Sequence, residues 1–153
     1  MLSIIIPTLN EEKYLPKLLG SIKNQSFKDY EIIVADHSSK DKTRQIAKKY
    51  GCRIVKGGKP STARNNGAKA AKGNLLFFID ADCIMGKDFL EKSLDEIKRK
   101  NIDAAGCYLW PLGKKAVDLI AFALFNFWIF ATQLFYPNAP GSGIFCKKIL
   151  HSR

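Results

Sequence analysis

Residues 2–36 read LSIIIPTLNEEKYLPKLLGSIKNQSFKDYEIIVAD, and this stretch decides the fold. Its first apolar run, at 2–6, is rich in β-branched residues and predicts a strand that ends before Pro7. Over residues 14–24 the apolar positions recur every three or four residues, which predicts a helix. A second apolar run at 31–35 predicts another strand. Strand, helix and strand in this order indicate a parallel βαβ unit.

The same alternation continues along the chain. The further predicted elements are helices at 41–50, 61–72 and 88–100 and strands at 53–56, 75–79, 104–109 and 144–146. Strands that are buried on both faces have continuous apolar runs, as most of these do. We therefore expect an α/β fold with a mainly parallel sheet and helices on both faces.

The composition is that of a folded domain with a positive surface. Of the 153 residues, 46% are hydrophobic and 25% are charged, and these values exclude a disordered or fibrous protein. The formal net charge is +11, and residues 1–76 hold 15 basic but only 6 acidic side chains, which favours an anionic ligand in this half. A nucleic-acid-binding domain would also explain the charge. The sequence has no helix-turn-helix, zinc or RNA-sheet motif, so no nucleic acid partner is expected.

The cysteines and the N-terminal residues favour a cytoplasmic protein. None of the four cysteines forms a C-x-x-C pair, so we expect reduced thiols rather than a zinc or redox site. The first apolar run is too short for a secretory signal, and no basic residue precedes it.

Polar side chains follow the predicted strands at the edge where parallel sheets bind their ligands. Asp80 and Asp82 leave the fourth strand two residues apart, a spacing that lets both carboxylates face one divalent metal ion. The alternative is a solvated turn, since aspartate is common in turns. Asp36 ends the second strand and is placed to accept hydrogen bonds from a ribose or a base. Ser39 or Asp41 would then cap the helix that follows.

Residues near two helix starts add to this edge. Asn10 is placed to cap the first helix. Arg64 lies in the first turn of the third helix, where a fixed positive charge beside outward-pointing amides suits a phosphate. The alternative for Arg64 is an ordinary surface salt bridge. Gly67 and the alanines after it keep one side of this helix small, which predicts a close approach to the sheet.

Four segments in order resemble the family 2 glycosyltransferases, which have the glycosyltransferase A fold. They correspond to the family's P-T-x-N-E, D-x-G-S-x-D-x-T, A-R-N-x-G and D-x-D motifs, and they read SIIIPTLNEE (3–12), ADHSSKDKT (35–43), ARNNG (63–67) and FFIDAD (77–82). The resemblance implies a Rossmann-like nucleotide-diphospho-sugar transferase fold in one domain, 1–153. Its nucleotide-sugar-binding half would be 1–82, and a partial acceptor half would be 83–153.

The resemblance also implies an activity, which is transfer of a sugar from a UDP- or GDP-sugar to an acceptor with inversion. The acceptor would be polyprenyl phosphate or another lipid or glycan. Asp82 and Asp80 would bind Mg²⁺ or Mn²⁺. The residues that the resemblance implies for the nucleotide site are Pro7, Thr8, Asn10, Glu11, Asp36, Ser39, Arg64, Asp80 and Ala81.

The sequence departs from the family in two places. His37 and Ser38 replace the family's usual Asp or Asn and its glycine. In addition, no acidic residue follows Asp118, although the family places its catalytic base after a glycine-rich strand that residues 141–145 resemble. We expect a truncated chain, or else an acceptor that needs no base because, like a lipid phosphate, it is already ionised. The catalytic residue stays unassigned, and a non-catalytic nucleotide-sugar-binding module is the alternative function.

Residues 119–135 form an aromatic segment whose polar members are Asn126, Thr132 and Gln133. Three interpretations stay open, namely a buried helix or hairpin, a helix on a membrane surface beside the acceptor site, and a transmembrane span. Lysines on both sides and the Trp and Tyr content fit an interfacial anchor. The second interpretation would place a cytoplasmic protein at the inner face of the membrane.

Overall fold

The structure, a computed structural model, describes residues 1–111, 113, 115–132 and 141–151. These residues form six strands and six helices, in the order β1 (Leu2–Thr8), α1 (Leu15–Lys23), β2 (Tyr30–Asp36), α2 (Thr43–Lys49), β3 (Arg53–Lys56), α3 (Pro60–Ala70), β4 (Leu75–Phe78), α4 (Phe89–Arg99), β5 (Ala104–Gly106), α5 (Ala116–Thr132), β6 (Ile144–Lys147) and α6 (Lys148–His151). Every element predicted from the sequence is present, most with ends shifted by one or two residues. The predicted fifth strand is the exception, because it ends at Gly106 rather than at 109.

The six strands form one sheet in the order β3-β2-β1-β4-β6-β5. β3, β2, β1 and β4 are parallel. β6 runs antiparallel to both of its neighbours, β4 and β5. The central parallel pair, β1 and β2, aligns Thr8 with Asp36, so the two loops that follow these strands start side by side. The predicted α/β fold with a mainly parallel sheet is confirmed.

Helices cover both faces of the sheet, as predicted. Ile4 and Ile6 of β1 belong to a buried cluster that includes residues of α1, α2 and α4. Ile5, which lies between them, belongs to a second cluster with Ala68 of α3. Because successive side chains of a strand point to opposite faces, the two clusters are the two sides of the sheet.

α3 lies so close to β1 that only glycine fits at the contact. A Cβ atom on Gly67 would overlap Cγ2 of Ile5, and the Ile5 side chain is fully buried. We expect Gly67→Ala to lower the free energy of unfolding by about 1–3 kcal/mol through overpacking. Urea titration measures the change. Gly20→Ala is the matched control, since a Cβ there meets nothing within 4 Å and alanine favours the helix by up to about 1 kcal/mol. Equal effects of the two substitutions would contradict this explanation.

The first strand is longer than predicted. β1 continues through Pro7 to Thr8 instead of ending before the proline. The carbonyl of Ile5 accepts a hydrogen bond from the Ile79 N–H, so the backbone polar groups of Ile5 point towards β4. Two residues later, the backbone of Pro7 points to the same side. β4 pairs with β1 only as far as Ile5. Because β4 is not paired with β1 at Pro7, the absence of an N–H on the proline costs the sheet no hydrogen bond.

The predicted cap at Asn10 is wrong. α1 begins at Leu15 after Tyr14, with no side-chain cap hydrogen bond. Asn10 has a left-handed backbone with a φ of 58°, and its Oδ1 accepts a hydrogen bond from the Lys40 N–H at 2.9 Å. Asparagine tolerates this conformation better than most residues, so it shapes the loop after β1 rather than the helix.

The aromatic segment is a helix, but it is not buried. Among the described residues of α5, Ile129 is the buried one, and Phe127, Trp128 and Phe130 are more than half exposed. The interpretation as a buried helix or hairpin is therefore wrong for residues 119–132, while 133–135 lie outside the described residues. In the part of the chain that the structure describes, no helix has the length and apolar character needed to cross a membrane.

Candidate functional site

Asp36 is buried at the end of β2 and is held by hydrogen bonds from three residues. Ser39 donates its backbone N–H to Oδ2 at 3.1 Å and its hydroxyl to Oδ1. Thr8 donates its hydroxyl to Oδ1 at 3.2 Å, and Arg44 Nη1 lies 3.0 Å from Oδ2. These four bonds occupy the four lone-pair positions of the carboxylate. Ser39 serves Asp36 in this way, so its predicted role as a cap of α2 is wrong, while Asp41 accepts a bond from the first N–H of α2.

The hydrogen bonds of Asp36 make this carboxylate one source of the acid dependence of stability. Burial alone would raise the pKa of Asp36, but the bonds from Ser39, Arg44 and Thr8 outweigh it and lower the pKa below its ordinary 3.8. A carboxyl group with a lowered pKa contributes stability above its unfolded-state pKa, and this contribution is lost as pH falls through the folded-state value.

We expect Asp36→Asn to cost about 1–3 kcal/mol of unfolding free energy at pH 7, since it leaves buried donors without an anionic acceptor. The stability of the variant should also fall less steeply below about pH 5. Urea titrations at pH 7 and at pH 4 measure both effects. Asp95→Asn, at an exposed position of α4, is the control. A parallel acid dependence in the Asp36 variant and the parent would contradict the role given to this carboxylate.

The loop after β1 is tied to the loop after β2. Three successive backbone N–H groups of the first loop donate hydrogen bonds to side chains that follow β2. The bonds run from Asn10 to Ser39 Oγ at 2.9 Å, from Glu11 to Thr43 Oγ1 at 2.7 Å and from Glu12 to Asp41 Oδ2 at 3.0 Å. In return, Lys42 N–H donates to a Glu12 carboxylate oxygen at 3.0 Å. The two loops therefore form one fixed wall at the carboxyl edge of the sheet.

Asp80 faces Arg64 across this edge. Arg64 Nη2 donates to Asp80 Oδ1 at 2.7 Å, and the Asp80 N–H donates to Ser142 Oγ at 3.0 Å. Arg64 does form a salt bridge, as the alternative interpretation allows, but its side chain is 22% exposed and its partner is an aspartate of the candidate site. The buried Arg64 Nε has no hydrogen-bond partner among the described residues. A buried donor without a partner is uncommon in folded proteins, and it leaves Arg64 with hydrogen-bonding capacity that its pair with Asp80 does not use.

The carboxylates at this edge act on one another electrostatically. Burial raises the pKa of Glu11, and the charges of Asp82, Asp41 and Asp80 raise it further. The pKa of Asp80 is also raised, by burial first, with Arg64 opposing this and Asp82 adding to it. Asp82 itself is exposed. The edge therefore carries negative charge that a cation would neutralise.

The donor set fits a magnesium-like ion that shares its coordination with a ligand. Among the described residues, no three acidic, histidine or cysteine side chains are grouped closely enough to hold a metal by themselves. Mg²⁺ in proteins is usually held by one or two carboxylates together with substrate phosphates and water. Asp82 and Asp80 would supply the carboxylates.

The structure places the predicted nucleotide residues at this edge. Thr8, Asp36 and Ala81 are buried, and Pro7 is half-buried. Ala81 would therefore act mainly through its backbone. His37 is exposed in the turn after β2, and Ser38 takes a left-handed φ of 57° there, at the position where the family usually has a glycine.

Sequence reasoning did not place three residues that shape the site among the candidate site residues, namely Arg44, Ser142 and Thr43, although Thr43 ends the second family motif. Both Arg44 and Thr43 belong to α2. Arg44 donates to Asp36, and the Thr43 hydroxyl oxygen accepts the Glu11 N–H. Ser142 reaches Asp80 from a segment 62 residues away. A serine between two glycines before a strand was a visible signal, but nothing in the sequence said that β6 lies next to β4.

Comparison with known proteins identifies the family. Residues 3–116 match the sequence model of the family described as Glycosyl transferase family 2. The poly(ribitol-phosphate) beta-N-acetylglucosaminyltransferase TarS of Staphylococcus aureus is 33% identical in an alignment of 124 positions, and the match covers 68% of this chain and 22% of TarS. The GalNAc(5)-diNAcBac-PP-undecaprenol beta-1,3-glucosyltransferase of Campylobacter jejuni is 38% identical in an alignment of 90 positions, and the match covers 53% of this chain and 29% of that protein. The chain thus spans less than a third of either relative.

Solved structures share the fold. The crystal structure of TarS 1-349 with UDP-GlcNAc superposes with a TM-score of 0.67 at 29% identity and covers 75% of this chain and 36% of that one. The mannosyltransferase PcManGT of Pyrobaculum calidifontis, solved with GDP-Man and Mn²⁺, gives a TM-score of 0.75 at 20% identity and covers 99% of this chain and 46% of that one. Because the family match runs from β1 to the start of α5, about three quarters of the sequence, the chain belongs to glycosyl transferase family 2.

Proposed function

We propose that this chain binds a UDP- or GDP-sugar at the carboxyl edge of its sheet and transfers the sugar to an acceptor with inversion. The observation that carries the proposal is the Arg64–Asp80 ion pair beside the exposed carboxylate of Asp82, together with the unpartnered Arg64 Nε. This combination suits a diphosphate together with a divalent cation. Family membership and the complex of TarS with UDP-GlcNAc support it.

The nucleoside would lie against the joined loops after β1 and β2. Pro7, Thr8, Asn10 and Glu11 would line one side, and Asp36 and Ser39 the other. Asp36 has no lone pair to spare in the structure, so a base N–H would have to replace one present donor. We expect Arg44 to be the donor that a base N–H displaces, since the Arg44 side chain is 49% exposed while that of Asp36 is fully buried.

Asp82 and Asp80 would hold Mg²⁺ or Mn²⁺, which supplies positive charge against the diphosphate leaving group when bound. Arg64 adds a fixed positive charge on the same side, and Ser142 orients the Asp80 backbone. The acceptor would attack the anomeric carbon from the face opposite the diphosphate, which gives inversion. The residue that removes the acceptor proton is not assigned.

The test measures binding and transfer separately. Calorimetry with UDP and with GDP, each in Mn²⁺ and in EDTA, measures donor binding. Incubation with UDP-GlcNAc or GDP-mannose and a polyprenyl phosphate then measures transfer as released nucleoside diphosphate. We expect metal-dependent binding and turnover. Binding without turnover would favour the non-catalytic module, and the absence of binding to either nucleotide would contradict the proposal.

We propose in addition that α5 places the protein on an anionic membrane surface, on the inner face, where a lipid-linked acceptor would be presented. The helix exposes Val117, Ile120, Leu124, Phe127 and Phe130 on a protein with net charge +11. Apolar side chains and positive charge together favour interfacial binding. The lipid pyrophosphate in the name of the Campylobacter relative supports the choice of acceptor.

We expect the chain to sediment with vesicles that contain phosphatidylglycerol. The Phe127→Ser/Phe130→Ser variant should lower the partition coefficient by about tenfold or more, since each buried phenylalanine contributes about 1.5–3 kcal/mol. The Lys98→Ser/Arg99→Ser variant, at exposed positions of α4, is the control for general charge attraction. Equal sedimentation of parent and phenylalanine variant would contradict the role of α5.

A further inference from the structure

A pocket of about 510 Å³ adjoins the proposed metal site on the side away from the nucleotide loops. It lies between the carboxyl end of β4, the beginning of β6, the loop 107–111 and the first half of α5. Asp80 and Asp82 are among its lining residues, so the pocket opens onto the carboxylates. A larger pocket of about 870 Å³ lies at the opposite, amino-terminal edge beside Leu2 and Leu75, away from these carboxylates.

The walls of the 510 Å³ pocket are mostly hydrocarbon. Met85, Phe89, Trp110 and Phe122 contribute to them, and Asp80, Asp82 and Ser142 form a polar group at the end of β4. Its volume is within the usual range for small-molecule sites, about 300–1,000 Å³. A site with an apolar body and one polar end fits an amphiphile whose polar head lies at the carboxylate end.

The aromatic wall is held in place by Asn126. This residue interrupts the apolar sequence of α5 and turns its amide towards the loop 107–111. Its Nδ2 donates to the Leu109 carbonyl at 2.7 Å, and its Oδ1 accepts the Leu109 N–H at 3.4 Å. The neighbours of Leu109, Tyr108 and Trp110, both line the pocket. One side chain therefore fixes the backbone between two aromatic residues of the wall.

The start of the same loop is fixed by Gly143. The Cys107 N–H donates to the Gly143 carbonyl at 2.8 Å. Gly143 has a left-handed φ of 74°, and a Cβ on it would lie 3.1 Å from Cys107 Cβ. The loop is thus tied to the sheet at Cys107 and to α5 at Leu109, which gives the pocket a defined wall without a bound ligand.

We propose that this pocket binds the hydrocarbon chain of the acceptor, with the polar head of the acceptor at the Asp82 end, and that Asn126 is the residue that positions its aromatic wall. The inference rests on the proposed function, because it takes the nucleotide and metal to occupy the other side of Asp80 and Asp82. It adds a binding site and a positioning residue to that function.

The probe is farnesyl monophosphate, and the reporter is Trp110. Trp128→Phe leaves Trp110 as the only tryptophan, because the chain has two. With Mn²⁺ present to offset the negative charge of Asp80 and Asp82, we expect farnesyl monophosphate to produce a saturable blue shift of Trp110 emission, and inorganic phosphate to produce none. The absence of a saturable shift, or an equal shift with inorganic phosphate, would overturn the proposal.

Two variants test the wall itself. Asn126→Leu removes both bonds to Leu109 and should weaken farnesyl monophosphate binding by about tenfold, while Thr132→Val, a polar-to-apolar change on the same helix, should leave it unchanged. Phe122→Ser tests the pocket without touching the Asn126 amide, should the first variant fold poorly, and should also weaken binding by about tenfold. Unchanged affinity in the folded variants would overturn the assignment.

The affinity for UDP with Mn²⁺, measured on the same proteins, separates this inference from the proposed function. Intact UDP binding with no farnesyl binding contradicts the pocket alone. If the parent protein does not bind UDP with Mn²⁺, the proposed function is contradicted, whatever the result with farnesyl monophosphate. Weakened farnesyl binding with unchanged UDP binding in Asn126→Leu is the result expected of a positioning residue on the acceptor side.

Discussion

Asp82→Asn is expected to remove most of the Mn²⁺-dependent affinity for UDP, by about a hundredfold or 2.8 kcal/mol. Asparagine keeps the shape of the side chain but replaces an anionic oxygen with a neutral carbonyl and a donor amide, and hard divalent cations prefer carboxylate oxygens. Asp82 is exposed, so the substitution should change stability little. Calorimetry with UDP in Mn²⁺ and in EDTA measures the effect.

The metal dependence is what distinguishes this result from a general loss of charge. In EDTA, parent and variant should bind UDP with similar affinity, or the variant should bind better, because one negative charge near the diphosphate is gone. Asp95→Asn on α4 changes the net charge equally and should bind like the parent in both conditions. Equal metal-dependent affinity in the Asp82 variant and the parent would contradict the metal role. A second readout is the pKa of Glu11, which should fall, since the Asp82 charge raises it after burial does.

The sequence predicted the fold well because its information was local. The apolar runs of β1, β2 and β4 and the small side of α3 are properties of short segments, and the structure confirms the parallel sheet that they indicate. The same local reasoning failed at Pro7, because whether a proline ends a strand depends on which neighbour its missing N–H would face.

The candidate site was predictable to the extent that it follows strand ends. Asp36, Asp80 and Asp82 come directly after strands, and the ends of parallel strands meet at one edge. The contacts between these ends were not predictable, since they join distant segments: Ser142 reaches Asp80 across 62 residues. The sequence did not indicate the role of Arg44, because a helical arginine that pairs with a buried carboxylate looks the same in sequence as one that points into solvent.

The aromatic segment shows the limit of composition as evidence. The apolar run left a helix and a hairpin open and did not say what covers it, and burial was the wrong interpretation for α5. The exception within the run was more informative than the run itself. A single asparagine among apolar residues has to satisfy its amide, and Asn126 does so on the Leu109 backbone, which ties the helix to the pocket wall.

The second large effect is expected at Arg64. Its Nη2 bond to Asp80 and its unpartnered Nε leave a guanidinium with donor capacity at the place where the diphosphate would lie. Lysine keeps the charge but has no planar fork, so Arg64→Lys should lose about tenfold in affinity for UDP. Arg64→Met also removes the charge and should lose about a hundredfold, or 2.8 kcal/mol.

Uridine separates a phosphate contact from a structural one. It carries the base and ribose but no phosphate, so its affinity should be the same in parent, Arg64→Lys and Arg64→Met if Arg64 serves the diphosphate. A parallel loss of uridine affinity in the Arg64 variants would mean instead that Arg64 supports the nucleoside pocket as a whole, through Asp80. Arg99→Met, on the exposed side of α4, is the charge-matched control and should bind both ligands like the parent. Because an exposed charge acts weakly over distance in physiological salt, a large loss of UDP affinity at Arg64, with unchanged uridine affinity and no effect at Arg99, is the result expected of a direct contact with the diphosphate.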